Sequence, residues 1–235
     1  MTGKSTTQII QNKLGFYASV STVVLTVVTF VVAILTPPLS GPFCRNNCFT
    51  YPFLDIVSRF PRDYIWMYPA ILLLLVYVTL SVCIHYLASD EKKIYSHIGF
   101  SFALISATLL IADYFLQLSV IQPSLLNRET DGISILTQYN PHGIFIALED
   151  LGYLLMSLSF LFMALVFSGS RLEKSIRAVF VTGFVLASTS LMLISSLYGI
   201  HREYRFEIAI IAINWLVLII SGILLSRLFK RKIEH

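Results

Sequence analysis

The sequence predicts an all-α integral membrane protein, a six-transmembrane-helix bundle that forms one polytopic domain over residues 1–235. Composition is the first observation behind this prediction. Hydrophobic residues make up 56% of the 235 residues, charged residues make up 13%, and mean hydropathy is +0.77. Soluble domains carry about 25% charged residues. The second observation is the presence of six apolar runs that reach the roughly 20 residues a helix needs to cross a bilayer.

The six runs are separated by short polar connections, and they give the predicted spans. In chain order these are Leu14–Thr36, Ile65–Leu87, Ile98–Gln122, Ile144–Phe167, Ala178–Ile200 and Ile208–Leu225. The runs are too continuous for barrel strands, which alternate in polarity over about ten residues. The composition also excludes a nucleic-acid-binding module, because the basic residues behind the net charge of +4 lie between the apolar runs. The bilayer is therefore the expected partner.

The distribution of Lys and Arg predicts the orientation of the spans. Of the 17 basic residues, those that flank the termini and the short connections are Lys4, Lys13, Lys92, Lys93, Arg171, Lys174, Arg177, Arg227, Lys230, Arg231 and Lys232. Cytoplasmic flanks carry an excess of such residues. We therefore expect both termini to be cytoplasmic, the longer loops Pro37–Tyr64 and Pro123–Gly143 to be outside, and the host membrane to be the plasma membrane.

Two of the three cysteines, Cys44 and Cys48, lie close together in the first long loop. An outer loop faces an oxidising compartment, so the pair is a candidate disulfide that staples the loop. The Cys-x-x-Cys spacing of redox motifs is absent. A zinc site would need further ligands, and the loop contains no His and no second Cys pair. We assign neither a metal site nor a cofactor.

Acidic residues inside the predicted spans are the most informative feature for function. Charged side chains in a membrane are costly and usually face a bundle interior or a water-filled cavity. A rise of about 1.5 Å per residue places Asp113 roughly 13 Å, and Glu149 roughly 9 Å, below the outer surface. Asp150 follows Glu149 directly, so all three acids are expected in the outer half of the membrane.

Neighbours on the same helix faces extend this predicted polar layer. The full set of candidate ligand-binding or proton-binding residues is Asp113, Gln117, His142, Glu149, Asp150, Tyr153 and Asn214. Asn214 belongs to a stripe with Glu207 and Ser221, which recurs every seven residues. His142 lies just above the layer, where Asn140 is the expected N-cap of the fourth helix and Pro141 its first-turn residue.

A purely structural interpretation of the layer stays open. Polar side chains in membrane bundles hydrogen-bond between helices and contribute about 0.6 kcal/mol each. In that interpretation Asp113 pairs with Asn214, and Glu149 pairs with an arginine of an outer loop. Three acids at one depth are expensive for this purpose alone, which favours a functional pocket.

Three functions from different classes fit these observations. The first is binding or transport of a small or lipid-like ligand, with the acids as counter-charges or proton carriers. The second is an intramembrane enzyme acting on a lipid, in which Glu149 or Asp150 supplies acid–base chemistry with Tyr153 or His142, or the acids and His142 hold a divalent cation. The third is a non-catalytic subunit or sensor whose aromatic first loop docks a partner; the same loop is equally consistent with an interfacial aromatic belt or a cap on the bundle. An oligomer stays open for all three. No nucleotide-binding loop or zinc-helix motif is present.

Overall fold

The computed structural model describes residues 6–234; Lys4, used above to predict orientation, lies outside them. The chain is 82% helical, and no strand occurs within this range. In chain order the helices are α1 (Thr6–Ile34), α2 (Met67–Leu87), α3 (Lys93–Leu116), α4 (Gln122–Leu126), α5 (Ile133–Leu136), α6 (Ile144–Ala164), α7 (Arg171–Tyr198) and α8 (Glu203–Glu234). Six segments are long and apolar enough to cross a membrane, which confirms the predicted number of spans.

The six long helices close into a ring. Helix α1 packs against α2 and α8, α3 packs against α2 and α6, and α7 packs against α6 and α8. Helix α6 also contacts α8 across the ring. The first and last helices meet at the end of the bundle that carries both termini, where Asn12 Nδ2 donates a hydrogen bond to the carbonyl oxygen of Lys232 over 3.3 Å. We call this the terminal end. The opposite end, which we call the loop end, carries residues 35–66, 127–143 and 199–202.

The helices extend past the apolar runs because their polar ends are also good helix formers. Helix α7 begins at Arg171, seven residues before the predicted span, where the Ser170 hydroxyl accepts a hydrogen bond from the Glu173 N–H over 3.3 Å. This is a serine N-cap. Helix α3 continues through a wider turn at Gln117–Ile121 into α4. That turn accommodates Pro123, whose ring would clash with the carbonyl four residues earlier in a regular helix.

The expected cap of α6 is wrong in detail. Helix α6 begins at Ile144 with Gly143 at the N-cap position, so Asn140 and Pro141 precede the helix. The Asn140 side chain stabilises the preceding turn instead. Its Oδ1 accepts a hydrogen bond from the His142 N–H over 2.9 Å, and its Nδ2 donates to the Ser134 carbonyl over 2.6 Å. Asparagine side chains commonly form such local turns with their own backbone.

Small residues allow the helices to pack closely. Gly152 of α6 is so near Leu110 of α3 that an added Cβ would meet its side chain at 2.6 Å. Gly183 of α7 is similarly placed against Val217 of α8. Close backbone approach of this kind is the usual way in which membrane helices gain packing energy. Helix α6 is the most buried of the six candidate spans, and α7 is the least buried.

Candidate functional site

A cavity of about 420 Å³ lies at the loop end between α1 and α8. Most of its wall is apolar or aromatic, and it includes both tryptophans of the chain, Trp66 and Trp215. Its lining also contains two acidic side chains, Glu149 of α6 and Glu207 of α8. Largely apolar cavities with a few converging polar groups are the usual form of small-molecule sites.

The two glutamates are buried next to each other. Glu149 is 1% exposed and Glu207 is 8% exposed. Their carboxyl groups are within hydrogen-bonding reach of one another. Two carboxyl groups this close in a low-dielectric site repel each other strongly if both are ionised.

A chain of hydrogen bonds ends on Glu149. The Tyr114 hydroxyl donates to Glu149 Oε1 over 2.6 Å, and its oxygen lies 3.0 Å from the Tyr153 hydroxyl. Because Tyr114 has a single proton, Tyr153 is the donor in that second bond. Trp215 Nε1 in turn donates to the Tyr153 oxygen over 3.1 Å. Every donor in the chain therefore points toward the carboxyl group, so the chain would stabilise a negative charge placed there.

Asp113 and Asp150 are buried close to Glu149, but neither lines the cavity. We call Asp113, Glu149, Asp150 and Glu207 the acid cluster. One carboxyl oxygen of Asp113 and one of Asp150 lack a hydrogen-bond partner among the described residues. Arg202, at the loop end, is close enough to Asp150 to attract its charge. The cluster therefore carries polar groups that packing alone leaves incompletely satisfied.

Gln117 and Asn214 have structural partners. Gln117 Nε2 donates to the Leu136 carbonyl over 2.6 Å, and its Oε1 accepts from the Gln138 N–H over 3.0 Å. The Gln117 side chain thus fixes the second long loop, Pro123–Gly143. Asn214 Oδ1 accepts from the Ser157 hydroxyl over 3.1 Å, which joins α8 to α6. The structural interpretation expected Asn214 to pair with Asp113, and Glu149 to pair with an arginine. Asn214 instead contacts Ser157, and Glu149 accepts a hydrogen bond from Tyr114.

His142 and the cysteine pair lie outside the cavity lining. The His142 side chain is 61% exposed and approaches Glu203 at the start of α8. Cys44 and Cys48 are joined by a disulfide in the first long loop. Of the seven candidate ligand-binding residues, Glu149 alone lines the cavity, although Tyr153 reaches it through the hydrogen-bond chain.

The first long loop covers part of the loop end. Phe53 is buried, and the Phe49 ring packs edge-on against Tyr139 at a centroid distance of 5.2 Å. Phe43 lines the cavity, whereas Tyr51 remains 71% exposed. Phe43 and Phe60 are each 42% exposed, so the loop packs partly on the bundle and also leaves aromatic surface uncovered.

A buried aspartate joins the first long loop to the second. Arg59 Nε and Nη2 donate to the two carboxyl oxygens of Asp63 over 2.8 and 3.0 Å, and the Tyr139 hydroxyl donates to Asp63 Oδ2 over 2.8 Å. The hydrogen bond to Asp63 raises the pKa of the Arg59 guanidinium. Burial, followed by the nearby Tyr64 and Asp63, raises the pKa of Tyr139 well above its usual range. Because Tyr139 lines the cavity, this group of contacts fixes one of its walls.

Sequence reasoning placed Glu207 in a polar stripe but did not include it in the site. It also missed Tyr114, Trp66, Trp215 and Tyr204, which all lie in or beside the cavity. The available signal was positional: Tyr114 follows Asp113, and Trp215 follows Asn214. Comparisons of the chain with protein-family models, with curated proteins and with solved structures found no match.

Proposed function

We propose that this chain is an integral membrane protein that binds an amphiphilic small molecule in the cavity, with an apolar body against the aromatic wall and a cationic head on the glutamates. The observation that supports this proposal is the pairing of Glu149 with Glu207 in a largely apolar cavity. A carboxyl pair that holds one proton carries one net negative charge. A singly charged amine head would neutralise it, and an anionic head would be repelled.

The hydrogen-bond chain supports the same ligand charge. Trp215, Tyr153 and Tyr114 all donate toward Glu149, so the chain stabilises a carboxylate at that position. A carboxylate that keeps its charge in an apolar site attracts a cation or a proton strongly. We propose that exchange between the ligand cation and a proton at this pair couples transport to proton movement.

Tryptophan fluorescence tests binding directly, because both tryptophans line the cavity. The protein in lipid nanodiscs is titrated with a twelve-carbon alkyl amine and with the fatty acid of equal chain length. We expect saturable quenching by the amine and none by the acid. Equal responses to the two probes, or no response to the amine, would exclude a cation-selective cavity.

Three variants locate the binding site. Glu149→Gln removes the proposed counter-charge, and Ala212→Trp fills the cavity from α8. Both should weaken amine binding at least tenfold, a loss of about 1.4 kcal/mol or more. Glu129→Gln removes a charge of the same type from an exposed position at the loop end and should leave binding unchanged. Native mass spectrometry of the wild type and the three variants would show which of these proteins retain a ligand from the cell.

The transport step has its own test in liposomes. We expect addition of the amine to drive proton flux through the wild-type protein and through Glu129→Gln, but not through Glu149→Gln. Amine binding without proton flux would restrict the function to ligand binding.

The proposed orientation places both termini in the cytoplasm and the loop end outside the plasma membrane. It follows from the excess of Lys and Arg at the terminal end. In intact cells, a membrane-impermeant maleimide should label Glu129→Cys at the loop end and should not label Glu91→Cys at the terminal end. Native background is low, because Cys83 is buried and the other two cysteines are paired. The reverse labelling pattern would invert the orientation.

A further inference from the structure

Two histidines and one glutamate converge at the loop end, outside the cavity lining. His142 precedes α6, while His201 and Glu203 lie where α7 gives way to α8. One donor atom from each of the three side chains lies within 4.8 Å of the others. His142 Nδ1 is 3.2 Å, and His201 Nδ1 is 3.4 Å, from the same oxygen, Glu203 Oε1.

The two His–Glu separations match those of a tetrahedral zinc site. Zinc bonds of about 2.0–2.1 Å to nitrogen and oxygen, at the tetrahedral angle, put neighbouring ligand atoms about 3.3 Å apart. Two imidazoles and one carboxylate form a donor set found in open zinc sites, in which water takes the fourth position. Ca²⁺ and Mg²⁺ prefer sets made almost wholly of oxygen, so a nitrogen-rich set selects against them.

Local hydrogen bonds hold the backbone at both histidines without a metal. The His142 N–H donates to Asn140 Oδ1, and the His201 carbonyl accepts from Arg205 Nη1 over 3.0 Å. Gly199, at a φ of 57°, makes the turn that ends α7 and brings His201 to this point. Arg205 also lies 4.0 Å from Glu203 Oε2, the oxygen that does not face the histidines. Such outer contacts orient metal ligands in known sites.

Access and burial also suit a metal site. The His142 and His201 side chains are 61% and 70% exposed, so an ion can enter from solvent. Glu203, in contrast, is only 9% exposed and belongs to the first turn of α8. The buried Glu203 carboxylate is therefore a fixed ligand, whereas the two exposed imidazoles can adjust their positions around an ion.

We propose that His142, His201 and Glu203 bind Zn²⁺, with water as the fourth ligand, and that the ion ties the start of α6 to the start of α8. This revises the sequence-based expectation of no metal site, since no local spacing motif connects His142 with His201. The site is independent of the proposed ligand cavity. It lies next to it, however, because Glu203 is one turn before Glu207 on α8.

Calorimetric titration of the full, tag-free chain with ZnCl₂, after treatment with a chelator, tests the proposal. We expect one Zn²⁺ per chain and no comparable binding of MgCl₂. His142→Ala and His201→Ala should each weaken Zn²⁺ binding at least tenfold. Cobalt substitution supplies a second readout, because Co²⁺ in a tetrahedral site absorbs strongly in the visible range.

His97→Ala is the matched control, since His97 is an exposed histidine at the terminal end. This variant should bind Zn²⁺ as the wild type does. Because His142 and His201 are exposed, their variants should elute as the wild type does in gel filtration. Saturating Zn²⁺ should raise the melting temperature of the wild type and of His97→Ala, but not of His142→Ala. Absence of binding, or binding unchanged in both His142→Ala and His201→Ala, would overturn the proposal.

Discussion

Two polar regions inside the same apolar bundle differ in how their hydrogen bonds are completed. In the first region, which we call the paired layer, each polar side chain has a partner on another helix. Its members are Tyr77, Ser106, Ser157, Ser159 and Asn214. Ser106 donates to the Gly152 carbonyl over 2.7 Å, and Ser159 donates to the Gly99 carbonyl over 2.7 Å. In the second, the acid cluster, Asp113 and Asp150 each keep a carboxyl oxygen without a partner among the described residues.

This is the difference expected between polar residues that join helices and the binding residues proposed above. The paired layer does not line the cavity between α1 and α8, and its bonds connect helices. The acid cluster contributes Glu149 and Glu207 to a cavity, and its incomplete hydrogen bonding has a cost in free energy. Groups retained at such a cost are typical of sites where binding supplies the missing partner. Substitutions in the two regions should therefore change stability in opposite directions.

The largest effect is expected where α3 and α6 pack, since that contact supports both regions. Gly152→Val places new methyl groups against Leu110, which an added Cβ would already meet at 2.6 Å. We expect a loss of about 3 kcal/mol in the free energy of unfolding, measured by SDS titration in mixed micelles. Leu151→Val on the outward face is the control, and it should cost less than half of that amount. Equal losses in both variants would show that the α3–α6 contact is not tightly packed.

Tyr139→Phe tests the contacts that fix the cavity wall. Loss of the hydrogen bond to Asp63 should cost about 1.5 kcal/mol at neutral pH. The pKa of Tyr139 is raised in the folded state, so its contribution is complete below the unfolded-state pKa near 10 and declines at higher pH. Unfolding measured at pH 7, 9 and 11 should show the difference between wild type and variant nearly vanish at pH 11. A difference independent of pH would place the Tyr139 hydroxyl in contact with solvent.

The helix number was predictable because each span must be long and apolar on its own. The position of Glu149 near the loop end of its helix was also predictable, since it depends only on the distance along α6. The cavity was not predictable, because its two main walls come from α1 and α8, which are far apart in sequence and meet only when the ring closes. Glu207 becomes a site residue through that closure, and Asn214, on the same stripe, turns to Ser157 instead.

Asp113→Asn should act in the direction opposite to substitutions in the paired layer. Asp113 is 2% exposed, has one carboxyl oxygen without a partner, and is close enough to Glu149 for their charges to repel. Replacing the acid with an amide of the same shape should raise the free energy of unfolding by about 1 kcal/mol. Amine quenching of tryptophan fluorescence should persist, because Asp113 does not line the cavity. A destabilised variant would assign Asp113 to the paired, structural class.

The smallest effect concerns a single pair within the paired layer. The Tyr77 hydroxyl donates to Ser159 Oγ over 2.9 Å between α2 and α6. A double-mutant cycle with Tyr77→Phe and Ser159→Ala should give a coupling of about 0.6 kcal/mol, the average for hydrogen bonds between membrane helices. The Ser159→Ala single variant should cost more than Tyr77→Phe, because it also frees the Gly99 carbonyl. A coupling near zero would mean that these hydroxyls find other partners when the pair is broken. The paired layer and the acid cluster would then differ only in whether they contribute side chains to the cavity.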